Sequence, residues 1–131
     1  MKSRKVTFLT GALICMLSTP AVPQSSKDWV DIKDPKELRA LYSNKTFKGN
    51  HWVGHYRADG KGIVIQMGGN PLPRTWEVKG NDQVCTMSPE IGAASCFRFQ
   101  RHRKNRNEVM LTNVKDSTSI MVTVEDGIPK F

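Results

Sequence analysis

The chain has 131 residues, 38% of them hydrophobic, with 20 Lys and Arg against 12 Asp and Glu. That length holds one hydrophobic core and leaves no room for a second. Ten Gly and seven Pro in an otherwise ordinary composition exclude collagen-like and low-complexity classes. A single sustained apolar run, at the N-terminus, excludes a protein of several membrane spans.

Lys2, Arg4 and Lys5 precede the apolar stretch 6–17 (VTFLTGALICML), and the small-residue stretch STPAVPQSS follows it. About a dozen apolar residues fall short of the roughly 20 that a spanning helix needs. The flanks and length predict a secretory signal over residues 1–21, cut after Ala21 with Thr19 two residues before it, the alternatives being a cut nearer Ser25 or an uncleaved N-terminal anchor. Cys15 raises a lipid-anchor signal, but Ile14 stands where that signal wants a small residue. Without the leader, 17 basic residues (20 less Lys2, Arg4 and Lys5) face 12 acidic ones, a net +5. The expected location is the periplasm or the exterior, with no integral membrane segment remaining. A moderately basic chain is attracted to anionic surfaces.

Cys85 and Cys96 are the two cysteines of the mature chain. In an oxidising compartment an even pair bridges, and a loop of this size contributes about 3 kcal/mol by restricting the unfolded chain. The spacing is wrong for a CxxC redox centre, and no nearby Cys or His completes a zinc site.

Residues 22–33 read as a flexible, irregular segment that Trp29 and Val30 anchor, ahead of one β-rich domain over 34–131. Asp34-Pro35-Lys36-Glu37 begins a short helix: Asp34 caps, Pro35 suits the first turn and Glu37 closes a capping box. Leu38, Leu41 and Tyr42 share one face, and Ser43-Asn44 ends the element. Eight residues do not make a stable helix alone, so that face must dock.

Beyond Asn44 the pattern has period two. Trp52, Gly54, Tyr56 and Ala58 alternate with Val53, His55 and Arg57. Asp59-Gly60 turns the chain, and Ile63, Ile65 and Met67 resume the apolar set. Gly68-Gly69-Asn70-Pro71 turns it again. Trp76 and Val78, then Val84, Phe97 and Phe99, Val109 and Leu111, and finally Ile120, Val122 and Val124 continue the alternation, with a turn at Gly80-Asn81-Asp82. Short strands at about ten-residue spacing predict a mainly β fold. The expected architecture is a single antiparallel meander of seven or eight strands, forming a barrel or sandwich, with one short N-terminal helix. With Val84, Phe97 and Phe99 inward, the pleat places Cys85 and Cys96 together on the opposite face of neighbouring strands.

His51 and His55 have H-x3-H spacing, yet on a strand they stand about 13 Å apart. Two sheet-surface histidines are therefore expected, and no metal or other cofactor. Arg101-His102-Arg103-Lys104-Asn105-Arg106 is the sharpest charge feature. Arg101, Arg103, Lys104 and Arg106 suit a carboxylate- or phosphate-rich partner, the alternative being a solvated hairpin tip whose charges discourage edge pairing. Nucleic acid is disfavoured, because Phe97 and Phe99 belong to the core and are not free to stack. Trp52, Tyr56 and Trp76 are the largest inward side chains, and either fill the interior or line a ligand cavity. No pair of carboxylates is placed for acid–base work, since Asp59, Asp82 and Asp126 sit in turns while Glu77 and Glu108 point outward. No catalytic residue is assigned.

The order of these features resembles a bacterial domain-of-unknown-function family of small exported proteins. The matching stretches are 37–47 (ELRALYSNKTF), 56–60 (YRADG), 74–80 (RTWEVKG), Cys85 and Cys96, and 126–129 (DGIP). The resemblance implies a secreted β-rich domain and brings no catalytic residues with it. The architecture is also similar to lipocalin-like bacterial inhibitors of secreted metalloproteases, with the segment before Asp34 as their trunk. The expected function is non-enzymatic binding of an envelope or secreted protein, an anionic polymer or a small apolar ligand. Inhibition of a secreted protease or other hydrolase, and a small hydrolase, are the alternatives.

Overall fold

The computed structural model describes residues 28–129. The expected leader, and the segment 22–27 after it, lie outside the described residues. The elements are β1 (Trp29–Ile32), α1 (Pro35–Tyr42), β2 (Lys45–Lys48), β3 (Trp52–Tyr56), β4 (Lys61–Gln66), β5 (Leu72–Lys79), β6 (Gln83–Ser88), β7 (Ala93–His102), β8 (Glu108–Asn113) and β9 (Ser119–Asp126).

From β2 to β9 every strand pairs antiparallel with the next. β9 then returns to β2, with Phe47 opposite Val124, so the meander closes into an eight-stranded barrel. Short turns make this possible. Gly60 (φ 90°) and Gly80 (φ 64°) take the left-handed conformation that the β3–β4 and β5–β6 turns need. Closure removes the free edges that an open sheet would expose.

Within the segment 22–33, expected to be irregular, the described part departs from that expectation at β1. Trp29 to Ile32 pair with His102 to Phe99 of β7. They run along the same edge of β7 that β6 uses further back, at Ala93–Phe97. Ile32 is 4% exposed and belongs to the core, so this stretch is held by ladder and burial together. β1 and the four-residue β2 raise the count among the described residues to nine strands.

α1 starts as its sequence dictates. The Asp34 carboxylate accepts from the Lys36 N–H (3.0 Å), and Pro35 fills the first turn. At the other end the Ser43 hydroxyl donates to the Arg39 carbonyl (2.7 Å), and Asn44 turns left-handed (φ 57°). Leu38, Leu41 and Tyr42 are buried. Tyr42 lies against rings from four strands: Phe47 (4.6 Å), Tyr56 (4.8 Å), Trp76 (5.2 Å) and Phe99 (5.8 Å). A side chain that touches β2, β3, β5 and β7 occupies the barrel axis, so α1 plugs one mouth.

The Tyr56 ring fits because two inward positions carry no side chain. A Cβ on Gly54 would lie 2.8 Å from the Tyr56 ring, and one on Gly62 would lie 2.9 Å from it and 2.5 Å from the His55 carbonyl oxygen. This register also corrects the sequence pattern on β4. Gly62 and Val64 face inward opposite Tyr56 and Gly54, whereas Ile63 and Ile65 lie on the outer face and Met67 is 76% exposed. The interior could not take two isoleucines beside those rings.

The cysteines stand directly opposite each other on β6 and β7 and are bonded, S–S 2.04 Å. Their neighbours Val84 and Phe97 point into the barrel, so the bridge lies on the outer face, as the pleat requires. Among the described residues no helix is long and apolar enough to cross a membrane.

Candidate functional site

The three aromatic residues expected to face inward do not meet around one space. Tyr56 and Trp76 are buried in the core, and Tyr42 fills the volume between them. Burial pushes the Tyr56 phenol up to about 12, against the opposing charge of Arg74. The Trp76 indole N–H donates to the Arg57 carbonyl (2.8 Å), so this polar handle is satisfied within the fold. Trp52 is half-buried. Part of its ring lies over Gly49, and part borders an outer hollow of about 260 Å³ with His51, Val53, Ile65 and Met67.

The histidine pair separates too. His51 lies in the turn before β3 and is exposed, as expected of a surface histidine. His55 departs from that expectation, since it is buried on the outer face of β3. Thr46 Oγ1 spends its one hydrogen on the Gly127 carbonyl (2.8 Å). The 2.9 Å contact between Thr46 Oγ1 and His55 Nδ1 is therefore donated by the ring, which fixes the proton on Nδ1. Burial first, and the Lys48 charge second, hold this imidazole below the usual histidine pKa. Below about pH 6.5 the unfolded chain takes up a proton that the folded one resists. Stability is thus fully present above pH 6.5 and falls as the pH drops towards the folded-state pKa. Urea midpoints should decline between pH 7.5 and 5, and a His55→Gln variant should lose most of that slope. An unchanged slope would show that His55 is not its source, since Asp59 and Asp116, both with depressed pKa, act only below about pH 4.

The carboxylates expected in turns are engaged by cations: Asp59 with Arg57 (2.8 Å), Asp82 with Arg98 (3.2 Å) and Asp126, which instead ends β9, with Lys45 (3.4 Å). Among the described residues no three His, Cys, Asp or Glu side chains gather as a metal site would need.

The basic run makes the most organised constellation. β7 continues through His102, and residues 103–107 form the β7–β8 hairpin tip. His102 Nδ1 accepts from the backbone N–H groups of Lys104 (3.2 Å) and Asn105 (3.0 Å). The Trp29 ring meets the same imidazole edge-on at 5.0 Å, and the Arg103 N–H donates to the Asp28 carbonyl (2.6 Å). The tip is a fixed turn, and β1 is part of what fixes it. Lys104 projects into solvent. Arg101, Arg103 and Arg106 instead border a hollow of about 230 Å³ walled by Val30, Asp31 and Ile32 of β1 and by Glu37 of α1.

Arg101 is the inward member. It stands opposite Val109 on β8, half-buried, and its Nε is buried with no hydrogen-bond partner among the described residues. Leaving such a donor unpaired costs about 1–3 kcal/mol, and a guanidinium cannot escape the cost by losing its proton. Burial and then Arg106 lower its pKa, while Glu37 raises it. Sequence reading finds the four cations but not the wall opposite them. β1 and Glu37 come from 64 or more positions earlier, and the one local hint is His102, three residues before the Asn105 N–H that it accepts.

Comparison of the chain with family models, curated proteins and solved structures finds no match in any of the three.

Proposed function

We propose that this chain is an exported, non-enzymatic binding protein that engages an anionic partner through the basic rim at the plugged end of its barrel. The observation that carries this is the grouping of Arg101, Arg103 and Arg106 around one hollow on a hairpin held rigid by His102 and β1. Preformed cations lose little freedom on binding, and guanidinium forks suit carboxylate, sulfate and phosphate oxygens. Export is supported by the leader-like N-terminus and by the bonded cysteine pair. The apolar-ligand alternative has less behind it, because Tyr42, Phe47, Tyr56, Trp76 and Phe99 pack ring against ring along the axis.

Retention on immobilised heparin tests the reading. The variant Arg103→Ser, Lys104→Ser, Arg106→Ser spares the half-buried Arg101, so its thermal transition should stay near that of the parent. Its affinity at 0.1 M salt should fall about tenfold or more. Equal elution of the two proteins would refute the rim as the contact. An inhibitory arm is a separate question, for which deletions must stop before Asp28, because losing β1 would take Ile32 out of the core and uncover its partner Phe99.

A further inference from the structure

We infer that the hollow between β1, the first turn of α1 and the β7–β8 hairpin seats a dianionic phosphate monoester group, gripped by Arg101, Arg103 and Arg106. The inference rests on the anionic-partner reading and gives it a ligand chemistry. The source is either a soluble phosphomonoester or the headgroup of a phosphatidate lipid, which present the same group.

Size, charge and geometry agree on this group. At about 230 Å³ the hollow is smaller than the roughly 300–1,000 Å³ that takes a whole drug-sized ligand. It is sized for a headgroup whose remainder stays outside. Three guanidiniums border it, and two carboxylates. Of these, Asp31 is already engaged: one oxygen accepts from Gln100 Nε2 (2.9 Å) and the other lies 3.8 Å from Lys33 Nζ. With Lys33 counted against Asp31, Glu37 alone offsets three arginines and two positive charges remain. A phosphate monoester carries close to two negative charges at neutral pH. A carboxylate or a phosphodiester carries one and would leave the hollow half-compensated.

The orphaned Nε–H of Arg101 supplies the directional element. A guanidinium donates most effectively in pairs along one edge, to two oxygens of the same oxyanion. The Arg101 Nε has no acceptor among the described residues and is closed to solvent, so a phosphate in the hollow engages this edge once the side chain turns it outward. Arg103 and Arg106 sit on the rigid tip and close over the outer oxygens. Glu37 is the competing carboxylate, and its position in the first turn of α1 places it at the border of the same space.

The experiment follows backbone amide NMR shifts of the oxidised chain under titration with inorganic phosphate and glycerol 3-phosphate, with acetate at matched ionic strength as control. Saturable shifts at the β7–β8 tip and the start of α1 are expected for both phosphates and not for acetate. Arg101→Lys keeps the charge and removes the fork, and should weaken phosphate at least tenfold. Glu37→Gln removes an exposed competitor and should tighten it several-fold. It keeps the test decisive if the Arg101 variant does not fold. A parallel arm sediments the protein with phosphatidylcholine vesicles carrying either phosphatidic acid or, at equal total charge, phosphatidylglycerol. Preferential sedimentation with phosphatidic acid assigns the lipid source, and saturation by soluble phosphates alone assigns the free one. No saturable phosphate shift, or an unaltered affinity in both Arg101→Lys and Glu37→Gln, overturns the seat. Heparin retention surviving that result would leave the anionic rim standing, and its loss would remove both.

Discussion

Replacing Tyr42 with alanine should cost about 4 kcal/mol of folding free energy, a large share of the 5–15 kcal/mol that keeps a domain of this size folded. Tyr42 is 1% exposed and touches Phe47, Tyr56, Trp76 and Phe99. Truncation removes the transferred area and also leaves a cavity on the barrel axis, where four rings belonging to four hydrogen-bonded strands cannot collapse inward. It also strips α1 of its largest docking group, and an eight-residue helix has no stability of its own to fall back on. The urea midpoint should drop accordingly with little change in slope. Tyr42→Phe keeps the ring, and should cost less than about 1.5 kcal/mol. If the alanine variant lost no more than the phenylalanine one, the core would not be organised around this side chain.

Loss of the Cys85–Cys96 bridge is the second large effect. Opening a loop with an 11-residue separation should lower stability by about 3 kcal/mol, mainly by freeing the unfolded chain. The register does not depend on the bridge. Cys85 and Cys96 are one of five aligned pairs between β6 and β7, and β6 is pinned on its other side by β5. A Cys85→Ser, Cys96→Ser variant should therefore retain the far-ultraviolet circular dichroism of the parent and unfold at lower urea. Reductant should shift the parent by a similar amount and leave the variant unmoved. A reductant-sensitive variant, or a parent indifferent to reduction, would contradict the bridge as a stabilising element.

The local signals were readable because each depends on neighbours in the chain. Asp34-Pro35 announces a helix start, as capping needs only the next two or three residues. Glycine turns and alternating Val109, Leu111, Val122 and Val124 announce strands, because the pleat sorts side chains every second position. The cysteine pair followed from the same parity. β2 gave little notice, since Lys-Thr-Phe-Lys has a single apolar residue. The β4 alternation misled, because isoleucines carry the hydrophobic signal while the inward sites had to be Gly62 and Val64, leaving room for Tyr56.

The sequence by itself determined a short capped helix, a run of antiparallel strands and a cross-strand sulfur bridge, all consequences of spacing along the chain. Only the tertiary structure decided that the sheet closes, that β1 lies along β7, that His55 is buried and that Tyr42 rather than a ligand occupies the axis. It also set Glu37 and β1 opposite the arginines of the β7–β8 tip. Closure, burial and charge juxtaposition join residues distant in sequence, and their energies depend on distances that no local pattern encodes.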